Sequence, residues 1–242
     1  MPEGRPIVCG CLGDSAFWLS SSPRGLELSV TFAQKGECMK SKFKQATDRR
    51  VAIFVAEGLE EIEALTQVDI LFRAGIPCDL VSITDDLEIK SSHDVRVTCN
   101  CSITDPKFNF DDYDVLFLPG GIPGALNLAA CEPLLAAVRR FVQEGSGQGT
   151  EGKQVAAICA APAILAKRGL LKGRRATANP GYQSDLFECG AIVMADSAVV
   201  EDDNIVTSQG MGTAIDMGLC LVRRLRGENA VKHVRSGIVW LH

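Results

Sequence analysis

From residue 51 onward, short apolar runs alternate with longer amphipathic stretches, and glycine or proline stands between them. That alternation constrains the chain strongly. A strand that is apolar on both faces needs cover on both faces, and interleaved helices supply it. VAIFVA at 51–56 reads as such a strand, ended by Gly58. Residues 60–74 read as a helix, with Ile62, Leu65, Val68, Ile70 and Leu71 broadly on one side and Gly75 as its stop. The same pattern predicts strands at 79–83, 114–118 and 155–158, and later ones near 191–194, 197–201 and 204–207. Helices are expected at about 131–144, just after Cys159, and near 212–226 and 228–236. Residues 88–99 read as a β excursion turning at His93-Asp94. The expected fold class is α/β, a mostly parallel sheet flanked by helices.

The first 50 residues break this pattern. They carry eight Lys/Arg and five Asp/Glu, against a chain total of −5, and they show no clean helical or strand period. We read 1–50 as an N-terminal extension, either a loose tail or a targeting segment, and 51–242 as the α/β domain. Glu3, Asp14, Glu27 and Glu37 make the extension a poor organellar transit peptide. Cytoplasmic localisation is expected, or an organelle if residues 1–50 do target.

An acidic chain argues against a nucleic-acid partner, which normally meets a basic face. No apolar run reaches the roughly 20 residues of a membrane span. Ten cysteines are scattered along the chain with no C-x-x-C pair and only three histidines. A zinc site is therefore a weak reading, no metal or other cofactor is expected, and most of the thiols read as small packing residues in a reducing compartment.

One cysteine differs. Cys159 lies between the apolar run 155–158 and a helix opening at Ala160, Ala161 and Pro162. A thiol at a strand-to-helix turn sits beside free N–H groups, which favour thiolate, so Cys159 is expected to be ionised near neutrality as nucleophile or redox sensor. Two other strand ends carry unusual chemistry, Glu57-Gly58-Leu59-Glu60-Glu61-Ile62-Glu63 and Leu118-Pro119-Gly120-Gly121. In an open α/β sheet all three meet on one rim. Glu60 and Glu61 read as helix caps. Glu63 lies on the helix side of Ile70, and an inward carboxylate there would be pushed towards its protonated form. Pro119-Gly120-Gly121 reads first as a tight turn, and alternatively as an oxyanion hole shared with the Ala160 amide. Gly210-Met211-Gly212 reads as close packing at a helix start.

Together AEGLEEIEALTQVDILFRAGI, DVLFLPGGIPGALNL, AAICAAPAILA and TSQGMGTAIDMGL resemble the ThiJ/PfpI superfamily, in the branch of the Parkinson-disease-linked protein deglycase. The resemblance runs from about Val51 to Val239. It implies a flavodoxin-like sandwich, usually a homodimer, with Cys159 as nucleophile, Glu63 as buried acid, and Gly121 and Ala160 as oxyanion-hole amides. Gly120, Arg73, His93 and Asn179 fall at positions expected to bind substrate. His93 stands where a neighbouring-subunit arginine is found, and Ala178-Asn179-Pro180 replaces a Thr-His-Pro segment. Ala160 holds the place of the histidine that peptidase members carry.

The implied activity is a cofactor-independent glyoxalase or deglycase acting on methylglyoxal and related α-oxoaldehydes. The alternative is a redox-sensing chaperone or signalling protein switched by oxidation of Cys159.

Overall fold

The computed structural model describes residues 43–241. The expectations for residues 1–42 lie outside the described residues. In chain order the elements are β1 (Val51–Val55), α1 (Glu61–Arg73), β2 (Cys78–Ser82), β3 (Glu88–Lys90), β4 (Arg96–Thr98), β5 (Cys101–Ser102), β6 (Val115–Leu118), α2 (Gly124–Ala130), α3 (Glu132–Gly145), β7 (Gln154–Ile158), α4 (Pro162–Lys167), β8 (Arg175–Ala176), α5 (Gln183–Glu188), β9 (Ile192–Val193), β10 (Val199–Asp202), β11 (Ile205–Ser208), α6 (Ala214–Arg226) and α7 (Glu228–Gly237).

Seven strands form one sheet in the order β10-β11-β7-β6-β1-β2-β5. Every neighbouring pair is parallel except β10 with β11. Four of the five inner strands, β1, β6, β7 and β11, are buried throughout, which is why they read as unbroken apolar runs. Alternate residues feed two cores. Ala52, Phe54, Leu116, Leu118, Val155 and Ala157 pack with residues of α2, α3, α4 and α5. Val51, Ile53, Val55, Phe117, Ala156 and Ile158 pack with residues of α1, α6 and α7. The sheet is thus the middle of three layers, and its carboxyl edge is left open for a site. The more polar β10 and the two-residue β5 close its two sides.

Several expectations shift. The helix expected at 131–144 is preceded by a separate one, α2, and the two part at Cys131, which leaves helical geometry with ψ 90°. The segment near 191–194 forms only the short β9, paired with β8 outside the main sheet. A single 3₁₀ turn over Met211–Thr213 precedes α6. The excursion at 88–99 is the β3–β4 hairpin, with Asp94 at φ 63° in its turn.

The domain also takes in chain before Val51. The Ala46 N–H donates to Gly75 O at 2.8 Å, Arg50 pairs with Asp79 at 2.8 Å, and the Phe43 and Phe72 rings lie 5.3 Å apart. The last eight residues of the expected extension therefore belong to the packed body. At the chain's other end, Ile238 and Trp240 pack against the core while Val239 and Leu241 are exposed.

Candidate active site

The site forms where β1, β6, β7 and β11 end. Glu60 caps α1, its Oε2 accepting the Glu63 N–H at 2.7 Å, as the acidic first turn suggested. One turn into the helix Glu63 is only 1% exposed, which bears out its inward direction. Its Oε2 accepts the Gly120 N–H at 2.8 Å, and the Cys159 thiol and the Met211 N–H also lie against the buried carboxyl.

Gly120 and Gly121 are there for space. A Cβ on Gly120 would lie 2.7 Å from Cys159 Cβ and 2.8 Å from Glu63 Oε2. Gly121 has φ 90°, and a Cβ on it would lie 2.3 Å from Glu60 N. The run after β6 is more than a turn, because it brings backbone against both the acid and the thiol.

Cys159 has φ 65°, a conformation that costs a side-chain-bearing residue on the order of 1–3 kcal/mol. Its N–H donates to Ser208 O and its carbonyl accepts from Asn179 N–H, each at 3.0 Å. The neighbouring strand end and loop thus hold the strained residue in place. Its side chain is half-buried beside the Glu63 carboxyl and near the Ala160 and Gly121 amides.

The electrostatics correct one expectation. Burial pushes the Glu63 carboxyl up to about 7; the Gly120 amide and the Cys159 thiol pull it back, and Glu60 adds repulsion. Burial likewise pushes the Cys159 thiol up to about 12, helped by the charge of Glu63 and by the hydrogen bond between the two side chains. The Ala160 and Gly121 amides act in the expected direction but are outweighed. The helix dipole adds little, since α4 has six residues and starts three positions after the cysteine. Cys159 therefore rests as a neutral thiol beside a carboxyl that titrates near neutrality.

Gly120, Gly121, Ala160, Glu63 and Cys159 come together. Asn179 joins them through its bond to the Cys159 carbonyl, its side-chain Oδ1 accepting the Gly181 N–H at 3.1 Å. His93 sits on the exposed hairpin turn, its Nδ1 3.0 Å from Glu61 Oε2. Among the described residues, Glu60, Glu61 and His93 bring metal-ligating atoms within 4.8 Å of one another, a grouping the His93–Glu61 hydrogen bond accounts for. Arg73 does not reach the site within one chain. It ends α1, ten residues or about 15 Å along the helix from Glu63, and pairs with Asp69 at 2.8 Å. Gly210 was missed as a site residue: a Cβ on it would lie within 4 Å of Glu63, Cys159 and Asn179. The only trace in the sequence is a glycine directly after a strand.

Fold and site define a class: a flavodoxin-like α/β protein with a cysteine on a strained turn after an inner parallel strand and a buried carboxylic acid against it. The chain belongs to the DJ-1/PfpI family, whose model matches residues 49–224. It is 32% identical over 219 residues to Protein DJ-1 homolog B of Arabidopsis thaliana, covering 90% of this chain and 47% of that protein. It is 31% identical over 194 residues to the Glutathione-independent glyoxalase DJ-1 of Schizosaccharomyces pombe, covering 78% of this chain and 97% of that one. The crystal structure of Drosophila melanogaster DJ-1beta superposes with a TM-score of 0.73 at 29% identity, covering 81% of this chain and all of that one.

Proposed function

We propose that the protein is a cofactor-independent glyoxalase that converts methylglyoxal and related α-oxoaldehydes to 2-hydroxy acids. The observation that carries this reading is the pairing of Cys159 with a buried carboxyl pushed up to about 7, a value suited to moving protons at neutral pH. The yeast relative's name supports the same chemistry.

The steps balance without an external oxidant. The Glu63 carboxylate takes the Cys159 proton as sulfur bonds to the aldehyde carbon, C1. The carbonyl electron pair moves to oxygen, near the Gly121 and Ala160 amides, and Glu63 returns the proton there to give a hemithioacetal. Glu63 then removes the hydrogen on C1. The electron pair forms C1=C2, and the ketone π pair moves to the C2 oxygen. Return of that proton to C2, with the C1 hydroxyl proton passing to the C2 oxygen, leaves a thioester. C1 is oxidised and C2 reduced. Water adds to C1, the C–S bond breaks, and sulfur leaves with a proton. The test is methylglyoxal consumption and lactate formation by pure protein. Cys159→Ala should abolish both and Glu63→Gln should cut them steeply. Undiminished turnover in Cys159→Ala removes the reading. Release of early glycation adducts from proteins would extend it to a deglycase only where it outpaces removal of free methylglyoxal.

Redox sensing through Cys159 is a second reading. It is favoured by the half-buried sulfur next to two amides that can hold an oxygen anion. Intact mass after peroxide tests it: two oxygens gained on Cys159 before any other thiol supports it, and scattered oxidation opposes it.

A homodimer fits the apolar side chains left exposed along α1, Ile62, Leu65 and Phe72, with Val95 on the nearby hairpin. Light scattering of the purified chain tests this. Among the described residues no helix is long and apolar enough to cross a membrane, and all seven cysteines are free, which suits a reducing compartment such as the cytoplasm.

A further inference from the structure

The turn between β11 and α6 brings a second backbone amide to the acid. The Gly120 N–H donates to Glu63 Oε2 at 2.8 Å, and the Met211 N–H lies against the same carboxyl. Met211 opens the 3₁₀ turn over Met211–Thr213, so its N–H has no partner inside that turn and is free to face a carboxylate. Its side chain, by contrast, is exposed.

One hydroxyl fixes that turn. Thr213 Oγ1 accepts the Gly210 N–H at 3.1 Å and lies 2.9 Å from Gly210 O, which also accepts the Thr213 N–H at 2.9 Å. It lies 2.7 Å from Ser208 Oγ as well. Ser208 Oγ donates to Ala198 O at 2.8 Å, so the single Thr213 hydrogen is shared between Ser208 Oγ and Gly210 O. Ser208 is buried at the end of β11, and its carbonyl accepts the Cys159 N–H at 3.0 Å. The Thr213 hydroxyl therefore joins the turn beside the acid to the strand end beside the thiol.

We propose that Thr213 is a positioning residue for the Glu63–Cys159 pair: it closes the turn after β11 so that the Met211 N–H is held on the Glu63 carboxyl, and it ties that turn to the strand end that steadies the thiol. The proposal rests on the glyoxalase reading for its effect on turnover, and it adds how the base of that reaction is set. Glu63 must be a carboxylate to take the Cys159 proton, and an amide held on a carboxylate favours that form. The titratable groups facing Glu63 are Cys159, after β7, whose thiol supports the charge, and Glu60, at the start of α1, whose own charge opposes it. Glu61 and His93 act on Glu60 in turn. None of these is altered by a change at Thr213, so release of the Met211 N–H alone would raise the ionisation of Glu63.

Two variants separate the hydroxyl from the amide. Thr213→Ala removes the hydroxyl from a half-buried position and is expected to fold. Met211→Pro removes the N–H itself and leaves Thr213 in place; proline suits the first position of a helical turn, and Gly210 before it is extended. In both, alkylation of Cys159 by iodoacetamide is expected to rise about one pH unit later than in wild type. The rate at pH 6 then falls ~10-fold, the scale of one hydrogen bond to a charged group, and the profiles converge at alkaline pH. The kcat/KM for methylglyoxal is expected to follow the same profile. Thr213→Ser keeps the hydroxyl and is expected to match wild type. A lower melting temperature in Thr213→Ala follows from any lost cap, whereas a displaced ionisation does not. A wild-type profile in Met211→Pro would overturn the part given to the amide. A wild-type profile in Thr213→Ala beside a displaced one in Met211→Pro would overturn the part given to Thr213. An inactive wild type defeats the glyoxalase reading alone, because the alkylation profiles need no turnover.

Discussion

The Cys159 carbonyl oxygen accepts the Asn179 N–H at 3.0 Å, and this bond clamps a residue whose φ of 65° suits glycine better than cysteine. The loop that supplies Asn179 thus supports the turn and lines the site at once. Strain held this way is released by removing the side chain. Cys159→Gly and Cys159→Ala should both be inactive, with the glycine variant about 1 kcal/mol the more stable in urea denaturation. An alanine variant as stable as the glycine one would mean the turn is unstrained.

Alkylation of Cys159 should follow an apparent ionisation near 7, belonging to the Glu63–Cys159 pair rather than to the thiol alone. Below that pH the carboxyl is protonated and no base is available; above it the rate levels off. In Glu63→Gln the base is gone while burial still holds the thiol above its ordinary 9.0, so the rise should move to alkaline pH. A Glu63→Gln profile that still rises near 7 would assign the ionisation elsewhere.

The same carboxyl makes stability depend on pH. Glu63 holds its proton more tightly folded than unfolded, where its value is 4.5. Its contribution is therefore fully favourable below 4.5 and declines as pH rises to about 7, after which the loss is complete. Glu63→Gln removes that decline. Relative to wild type the variant should gain stability between pH 5 and 8, by up to an order of 3 kcal/mol. A gap that does not change with pH would show that the buried carboxyl carries no such penalty.

Away from the site, Arg224 is 8% exposed and ties the β7 end of the sheet to its edge. Its Nε donates to Gln154 Oε1 at 2.6 Å, and its terminal nitrogens reach Glu201 at 2.9 Å and Asp203 O at 2.8 Å. Arg224→Ala leaves Gln154 Oε1 and the Asp203 carbonyl without their donor while Glu201 keeps Arg223, and it should cost about 1–3 kcal/mol, read as a lower melting temperature with turnover at 25 °C preserved. A loss below ~1 kcal/mol would place the pair in the surface class.

The layered fold was legible because strands covered on both faces have a signature of their own. Val51 to Val55 and Val155 to Ile158 could scarcely be anything else. The α2 helix was not legible: Gly124 opens it, and its cap residue Pro123 offers no side-chain bond. Within the site, Glu63 could be aimed inward by helical period alone. The resting charge of Cys159 could not be read from its neighbours in sequence, because it depends on burial and then on Glu63, 96 positions earlier. Gly210 was overlooked for the opposite reason, since its part is played by atoms it lacks. Arg73 matched by position, yet the ten residues between it and Glu63 along one helix already set it about 15 Å away within one chain.

Consider finally what a protonated sulfur means between turnovers. A thiol that surrenders its hydrogen only when a reacting carbon is at hand makes a poor target for stray peroxide or a wandering soft metal. In the glyoxalase cycle proposed above, burial and the Glu63 carboxyl together keep the Cys159 sulfur protonated between turnovers, a bias towards repeated service over a single act of sensing.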